Sequence, residues 1–327
     1  MSTERILEPT TESIEHCARH LQRGGLVGMP TETVYGLAAD ACDDDAVRRI
    51  YRAKSRPAGN PLIVHVSRPE QAQRFTERWD AQCQRLADTF WPGPLTLVLP
   101  RSVRASDVVT AGHPTVAVRS PAHDVARALI EATDRALVAP SANQSGHVSS
   151  TTAAHVVSEF PELDFPVLDG GMCALGIEST VLDLTGAHPI VLRPGAVTAR
   201  ALRNVLPDLE VPVIGEQGAS PGTSPRHYAP NTPTVLVTAS QIEDRLAECS
   251  APATVLSIGP RKVTGPHVSV EMPDDPDAYA RRLYAGLREA DESDGTLILV
   301  ESPPWTDGLW RAINDRLQRA CVPPLSP

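Results

Sequence analysis

Lysine is almost absent from this chain, so the lysines it does have are informative. Its 327 residues include 30 lysines and arginines, but only Lys54 and Lys262 are lysine. Lys54 lies in the segment RAKSRP, two positions before Arg56. A compact ammonium makes a point contact with an anion, whereas a planar guanidinium forms a wider fork. We therefore predict that Lys54 contacts phosphate or a similar anionic group.

A structural role for Lys54 is the alternative. The run Asp43–Asp45 predicts the start of a helix, and Lys54 would lie in the last turn of that helix. There a cation gains only ~0.3–1 kcal/mol from the helix dipole. Arginine would serve the dipole equally well in a chain that otherwise uses arginine, so the sequence favours a functional lysine.

Further polar residues stand next to predicted strands, where open α/β sheets form their ligand clefts. They are Thr31–Thr33, Arg119, Ser141–Asn143, Glu178–Thr180 and Arg193. Each of them alone is more often a turn residue or a surface charge. Together with Lys54 and Arg56 they combine cations with hydroxyl and amide groups, which predicts a site for an anionic, oxygen-rich ligand.

The hydrophobic pattern of the first 210 residues predicts an α/β fold with a mixed sheet and flanking helices. Strands are expected at 26–29, 62–66, 96–99, 116–118, 136–139, 181–184 and 190–192. Helices are expected at 12–23, 43–54, 81–90, 122–134, 151–159 and 198–206.

A break in this pattern separates a second, smaller unit. Residues 211–233 lose their periodicity and are rich in Gly, Ser and Pro, which predicts a linker. Strands are then expected at 234–238, 254–258 and 296–300, with helices at 241–248, 277–291 and 309–319. We therefore predict a main domain of residues 1–210, a linker of residues 211–233 and a small α/β domain of residues 234–327.

Composition and charge argue against several classes of protein. Six cysteines without a C-x-x-C pair argue against a zinc site or a disulfide framework, and they fit a reducing, cytoplasmic setting. No apolar run approaches the ~18 residues of a membrane span. A formal net charge of −10 disfavours strong direct binding to nucleic acid.

Several motifs that would indicate other chemistry are missing. The sequence has no G-x-x-x-x-G-K-[ST] and no G-x-G-x-x-G, and neither the segment SAN at 141–143 nor GIES at 176–179 forms a G-x-S-x-G elbow. Asp40 and Asp43–Asp45 could suggest a metal site, but a helix cap explains them better. His65 alternates with Val64 and Val66, so by itself it is typical of a buried, hydrogen-bonded strand histidine.

Seven segments, in order along the chain, carry a family resemblance. They are PTETVYGL at 30–37, KSRP at 54–57, NPLIVH at 60–65, WPGPLT at 91–96, VAVR at 116–119, APSANQSG at 139–146 and GIESTVLD at 176–183. Together they resemble the YrdC-like threonylcarbamoyl-AMP synthases, whose signature is a Lys-x-Arg pair and a Ser-x-Asn pair. The linker and the extra C-terminal domain resemble the longer form of that family, although the linker interior at 223–225 departs from its pattern.

The resemblance implies a fold and a reaction. The fold is a YrdC-like twisted mixed sheet with a concave cationic cleft, a linker that folds over the active site, and a small Rossmann-like α/β C-terminal domain. The reaction is a nucleotidyl transfer in which L-threonine, bicarbonate and ATP give threonylcarbamoyl-AMP and pyrophosphate. The tRNA threonylcarbamoyl transferase machinery would then pass the threonylcarbamoyl group to tRNAs that read ANN codons.

The resemblance also implies residue roles. Lys54 and Arg56 would be the catalytic cations, in contact with the phosphates of ATP. The other ATP contacts would be Asn60, Thr115, Ser141, Asn143, Ser149, Arg193 and Tyr228. Threonine would be held by Thr33, His65, Arg119 and Ser179, with its carboxylate on Arg119. Mg²⁺ would be carried by ATP rather than by protein ligands alone, and no organic prosthetic group is implied.

Two other functions fit parts of the pattern. A carbamoyltransferase of the hydrogenase-maturation type uses a related domain, but it predicts zinc-finger cysteines and an acylphosphatase-like region that this sequence lacks. A non-catalytic RNA-binding module could hold a nucleic-acid backbone on a cationic sheet. The net charge of −10 and the lack of a basic stripe weigh against that function.

Overall fold

The structure of the protein is a computed structural model that describes residues 3–213 and 226–321. These residues form two β-sheets, one of ten strands and one of four. The interior of the predicted linker, residues 214–225, lies outside the described residues. The path of the linker over the site therefore stays a prediction.

The larger sheet lies within residues 6–193. Its strands are β1 (Ile6–Leu7), β2 (Val27–Met29), β3 (Gly36–Asp40), β4 (Ile63–His65), β5 (Leu95–Pro100), β6 (Thr115–Arg119), β7 (Leu137–Val138), β8 (Val167–Leu168), β9 (Thr180–Asp183) and β10 (Ile190–Arg193). The helices of this part are α1 (Thr11–Gln22), α2 (Asp44–Ala53), α3 (Pro69–Gln73), α4 (Ala81–Phe90), α5 (Asp107–Thr110), α6 (Asp124–Thr133), α7 (Ala153–Glu159) and α8 (Ala199–Arg203).

The strand order gathers distant parts of the chain. The order is β1-β8-β2-β3-β7-β4-β6-β5-β9-β10. Parallel and antiparallel pairs mix, since β4 is parallel to β6 and antiparallel to β7. Strands β3, β7, β4 and β6 are therefore neighbours although they come from residues 36–40, 137–138, 63–65 and 115–119.

Helix α2 begins and ends as its sequence predicts. Asp43 is the N-cap, and its carboxylate accepts hydrogen bonds from the second and third residues after it. Lys54 is the C-cap. Ser55 then adopts φ 50° in the left-handed region, and the Arg56 backbone N–H donates to the Tyr51 carbonyl at 2.9 Å. This turn ends the helix and sets the direction in which Lys54 and Arg56 leave it.

The C-terminal part is a parallel α/β unit. Its strands are β11 (Thr234–Val237), β12 (Ala253–Ile258), β13 (Val268–Met272) and β14 (Leu297–Glu301), in the order β11-β14-β12-β13. Its helices are α9 (Ile242–Ala247), α10 (Pro276–Asp291) and α11 (Leu309–Ala320). All three strand pairings are parallel.

The two parts share buried apolar surface. Val34 and Ile177 of the first part belong to one hydrophobic cluster with Leu283 and Ile313 of the second. Such contacts favour docking because they remove apolar area from water. Across residues 3–213 and 226–321, no helix combines the length and apolarity that crossing a membrane requires.

The predicted fold class, a mixed α/β sheet with a separate small α/β unit, is confirmed. The sequence did not indicate β1, β3, β8 or β13. Strand β3 has the sequence GLAAD, whose residue types are weak strand formers. It is a strand because β2 and β7 pair with its two edges. The domain boundaries at 210 and 233 stay predictions.

Candidate active site

A cleft on one face of the larger sheet collects most of the side chains that the sequence singled out. In the parallel pair of β4 and β6, Ile63 lies beside Ala117 and His65 beside Arg119, so these four side chains share one face. The predicted residues that line the cleft are Thr33, Arg56, His65, Arg119, Ser141, Ser179, Arg193 and Tyr228. The site therefore extends across the sheet face as well as along the strand ends.

Lys54 lies beneath this cleft and is 1% exposed. Its Nζ donates to the backbone carbonyl of Ser141 at 2.6 Å and to that of Asn143. Burial and the nearby Arg56 lower the pKa of Lys54 well below its usual range, against an opposing effect of Glu159. A compact ammonium fits between two carbonyls, which accounts for a lysine here. The predicted contact with phosphate stays a prediction.

Arg56 lines the cleft and is fixed by backbone oxygens. Its Nε donates to the Asn60 carbonyl at 3.1 Å and its Nη2 to the Pro61 carbonyl at 2.9 Å. Burial lowers the pKa of Arg56 to about 10, so the group is still charged at neutral pH.

Thr115, at the start of β6, shares the cleft face with Arg119 but lies ~13 Å along the strand from it.

Arg119 is held by a buried set of partners. Its Nη1 donates to Thr33 Oγ1 at 3.0 Å, its Nε to the Gly93 carbonyl at 3.3 Å, and its Nη2 lies 2.7 Å from Glu32 Oε1. A guanidinium has five N–H donors, and the described residues take three. Burial and Arg119 lower the pKa of His65 to about 3, so His65 is neutral at pH 7.

Arg193 forms hydrogen bonds with Ser179, the residue that precedes β9. Its Nε and Nη2 donate to the Ser179 carbonyl at 3.1 and 2.9 Å, and Nη2 also donates to Ser179 Oγ at 3.1 Å. Ser179 Oγ lies 2.7 Å from Thr96 Oγ1. Burial lowers the pKa of Arg193. The position of Arg193 therefore depends on the position of the segment that carries Ser179.

Two predicted nucleotide contacts, Asn143 and Ser149, are buried and do not line the cleft. The Asn143 Nδ2 donates to the carbonyls of Gln144 and His147 at 2.8 and 2.9 Å. Its Oδ1 is buried and has no hydrogen-bond partner among the described residues. The Ser149 hydroxyl donates to Glu178 Oε1 at 2.6 Å.

The chain returns to the cleft just after the linker interior. Tyr228 is 1% exposed, has φ 60°, and stacks on Tyr284 with ring centroids 5.7 Å apart. His227 also lines the cleft, and burial lowers its pKa to about 3. Its Nδ1 is buried and, within residues 3–213 and 226–321, has no hydrogen-bond partner. No role was predicted for His227, although it directly precedes Tyr228, a predicted ATP contact.

Glu178 also lines the cleft. Its position before a predicted strand placed it among the candidate site residues, but without a ligand of its own. Its Oε2 accepts hydrogen bonds from Tyr284 at 2.8 Å and Arg316 at 2.9 Å, both from the C-terminal part. Burial would raise the pKa of Glu178, but Arg316 and then Arg193 lower it to about 2. Its partners lie 106 and 138 positions away, so sequence position gave no signal for them.

The carboxylates near the cleft are engaged with arginines. Glu32 pairs with Arg119 and Glu178 with Arg316. Among the residues that the structure describes, no group of three or more His, Cys, Asp or Glu side chains is arranged to hold a metal ion. The prediction that Mg²⁺ arrives with a nucleotide is not tested by this geometry.

Comparisons with known proteins agree with this two-part architecture. A family model for Sua5, YciO and YrdC, described as "Telomere recombination", matches residues 19–195. A second model, described as "Threonylcarbamoyl-AMP synthase, C-terminal domain", matches residues 197–321. The fold and cleft are thus those of a YrdC-like α/β protein with an added C-terminal domain.

Individual relatives make the assignment specific. A threonylcarbamoyl-AMP synthase of Pyrococcus abyssi is 39% identical over 319 residues, which cover 94% of this chain and 93% of the relative. The crystal structure of P. abyssi Sua5 complexed with L-threonine has a TM-score of 0.91 at 37% identity, covering 96% of this chain and 97% of that one. This chain belongs to the threonylcarbamoyl-AMP synthase family, which consists of enzymes of the nucleotidyltransferase type.

A more distant likeness is found with a solved structure of another protein. T. kodakarensis HypF has a TM-score of 0.51 at 16% identity, and the match covers 57% of this chain but only 25% of that one. At that identity the likeness shows a shared fold and nothing about shared activity.

Proposed function

We propose that this protein condenses L-threonine, bicarbonate and ATP into threonylcarbamoyl-AMP and pyrophosphate, in the cytoplasm. The observation that carries the proposal is the convergence of Arg56, Arg119 and Arg193 on one cleft. All three substrates bring anionic oxygens, and guanidinium groups bind such oxygens directionally. The family membership supports the same reaction.

The proposed chemistry has two steps. The threonine amine adds to the bicarbonate carbon, and loss of water leaves a carbamate. A carbamate oxygen then attacks the α-phosphorus of ATP, and the bond to the bridging oxygen of the β-phosphate breaks with its electron pair on pyrophosphate. Negative charge concentrates on oxygens around the α-phosphorus, so fixed cations stabilise this step most.

The phosphate end of the site would be formed by Lys54, Arg56 and Arg193. An ammonium has three N–H donors, and Lys54 uses two of them on loop carbonyls. We assign the third to a phosphate oxygen. The remaining ATP contacts would be Asn60, Thr115, Ser141, Asn143, Ser149 and Tyr228, as the resemblance implies.

The amino-acid end would be formed around Arg119. The two N–H groups that its partners leave would take the threonine carboxylate. Thr33, His65 and Ser179 would complete this end, as the resemblance implies. A site built to hydrogen-bond a hydroxyl rejects analogues without it far more strongly than a methylene pocket discriminates by size. The P. abyssi relative was crystallised with L-threonine, which supports an amino-acid subsite in this fold.

The role proposed for Mg²⁺ is to accompany ATP. Oxygen-rich phosphates suit this ion, which prefers few protein ligands and keeps several waters. Glu32 and Glu178 are held in ion pairs with arginines, so we assign the ligands of Mg²⁺ to the nucleotide. Tyr228 would close over the nucleotide and keep water from the labile mixed anhydride.

The product would serve the tRNA threonylcarbamoyl transferase machinery, which acts on tRNAs that read ANN codons. The net charge of −10 disfavours strong direct binding of this chain to the tRNA itself. We therefore propose that the adenylate passes to a separate transfer enzyme.

A substrate-omission experiment tests the proposal. Pyrophosphate release should require threonine, bicarbonate, Mg²⁺ and ATP together, and valine, which lacks the hydroxyl, should replace threonine poorly. Release that continues without threonine would remove the proposed reaction. Carbon-dioxide-free buffer provides the matched bicarbonate control.

A further inference from the structure

The Glu178 carboxylate joins the C-terminal domain to the wall of the cleft. It belongs to the main domain, is 7% exposed, and is the residue directly before Ser179. Ser149 of the same domain donates to one oxygen, and Tyr284 of α10 and Arg316 of α11 donate to the other. Two of its three side-chain partners among the described residues thus come from the C-terminal domain.

Close backbone packing also fixes residues 176–180, the segment that carries Glu178, from two sides. A Cβ at Gly176 would lie 2.5 Å from the Ala280 carbonyl oxygen and 2.5 Å from the Arg281 Cα of α10. A Cβ at Gly195 would lie 2.4 Å from the Thr180 nitrogen. Residues 176–180 are therefore enclosed between α10 and the turn that follows Arg193, so a shift of α10 reaches the Arg193 side of the cleft.

Arg316 is itself held from several sides. It is fully buried, and its Nη1 donates to Asp315 Oδ2 at 2.7 Å while its Nε donates to Glu178. Its guanidinium carbon lies 5.4 Å from the centre of the Tyr228 ring, within the range of a cation–π contact. One arginine of α11 thus contacts both the segment before β9 and the aromatic ring that lines the cleft.

We propose that Arg316 is a positioning residue for the adenylation site: with Tyr284 it holds Glu178 and, through Glu178, Ser179 and Arg193. It also contacts the Tyr228 ring directly. The C-terminal domain is then part of the catalytic apparatus and does more than support the linker. This inference rests on the proposed function, because the reaction at the cleft supplies its activity readout.

The chain of contacts gives a physical reason. Arg193 bonds Ser179 through three hydrogen bonds, and Ser179 is adjacent to Glu178. A misplacement of about 1 Å in a catalytic group costs up to about a hundredfold in rate. Loss of the α11 contact therefore weakens catalysis by displacing residues of the cleft, although Arg316 itself does not line the cleft.

The test uses full-length variants with matched controls. Arg316→Met keeps the volume but removes the charge and the donors, and we expect kcat/KM for ATP to fall about tenfold or more. Arg281→Met is the control, because Arg281 also crosses between the domains, to the Ala174 carbonyl at 2.9 Å, but away from Glu178. It should stay within about twofold of wild type.

The double variant Glu178→Gln with Arg316→Met separates positioning from charge compensation. Arg316→Met alone leaves a buried carboxylate poorly paired, so its Tm should fall by about 10 °C. The uncharged amide of the double variant should recover most of that Tm but not the activity. Recovery of activity to near wild type would overturn the proposal, since Arg316 would then only neutralise a buried charge.

Hydrogen exchange supplies a readout that does not depend on turnover. Peptides covering 176–181 should exchange faster in Arg316→Met and in the double variant, and at the wild-type rate in Arg281→Met. Unchanged exchange in this segment would contradict the inference even if activity fell. A wild-type enzyme without synthase activity would instead refute the proposed function and leave the exchange result as the separate test of the contact.

Discussion

The cleft and the domain junction both contain buried cations, but the pKa of these cations is shifted in opposite directions in the two places. Arg56, which lines the cleft, and Lys54, which lies beneath it, donate to backbone carbonyls, and burial lowers the pKa of both. At the junction, burial alone would lower the pKa of Arg316, but Tyr228, Glu178 and Asp315 raise it well above its usual range. Carbonyl dipoles fix a cation without neutralising it, whereas carboxylates neutralise it.

This difference separates two uses of the same residue type. A buried cation that is held by carbonyls alone costs free energy, and a bound anion offsets that cost. At the junction, the ion pair between Arg316 and Glu178 joins the two domains without needing a ligand. We expect variants in the cleft to change catalysis more than stability, and variants at the junction to change both.

The largest expected effect comes from Lys54→Arg. A guanidinium is too wide for the position between the Ser141 and Asn143 carbonyls, so we expect activity to fall about a hundredfold or more although the charge is kept. Pyrophosphate release checks this, and Lys262→Arg is the matched control because Lys262 is exposed. Near-wild-type turnover from Lys54→Arg would show that the cleft needs only a charge at this position.

Acid should weaken the junction through Glu178. The folded-state pKa is lowered from 4.5 to about 2, so the carboxylate contributes stability that is present above about pH 4.5 and lost as pH falls toward about 2. A shift of this size corresponds to about 3 kcal/mol. Urea unfolding against pH should show wild type losing its advantage over Glu178→Gln in that window.

The control for this pH dependence is Glu15→Gln, which removes the exposed partner of Arg19. Its difference from wild type should stay small at every pH. If the stability gap between wild type and Glu178→Gln were constant from about pH 5 to about pH 2, the ion pair with Arg316 would not be the source of the stabilisation.

Nucleotide binding should take up protons at the cleft. The pKa of Lys54 is lowered by burial and by Arg56, and polyphosphate raises the pKa of a nearby ammonium. Titration calorimetry of Mg²⁺·ATP over a series of pH values, in buffers of different ionisation enthalpy, measures the uptake. Lys54→Met should reduce it and Lys262→Met should not. Equal heats in all buffers would contradict the uncompensated charge assigned to the cleft.

The smallest expected effect comes from a surface ion pair. Arg48 is about half exposed and pairs with Asp44 and Asp45 on α2. Arg48→Ala should change the free energy of unfolding by less than about 1 kcal/mol and leave pyrophosphate release unchanged. A larger loss would mean that burial is not what distinguishes the junction from ordinary surface pairs.

Local sequence signals predicted much of the fold and of the cleft. Helix α2 was predicted because Asp43–Asp45 are typical of a helix start, and Asp43 is its N-cap in the structure. Arg119 and Arg193 were predicted because they stand beside predicted strands, and Arg56 because it lies two positions after Lys54. All three line the cleft.

What the sequence missed depends on contacts between distant residues. Strand β3 owes its state to pairing on both edges, which composition does not encode. The carbonyls that hold Lys54 belong to backbone groups 87 and 89 positions away. Glu178 and Arg316 are 138 positions apart, so neither side chain alone indicated the link between the domains.

The most direct test of the central claim is the identity of the product. Mass spectrometry should follow a reaction with ¹³C-bicarbonate, ¹⁵N-threonine and Mg²⁺·ATP. We predict one adenylate that carries both labels, formed in step with pyrophosphate and absent when any substrate is omitted. An adenylate that contains threonine but no label from bicarbonate, or pyrophosphate without a doubly labelled product, would contradict the account.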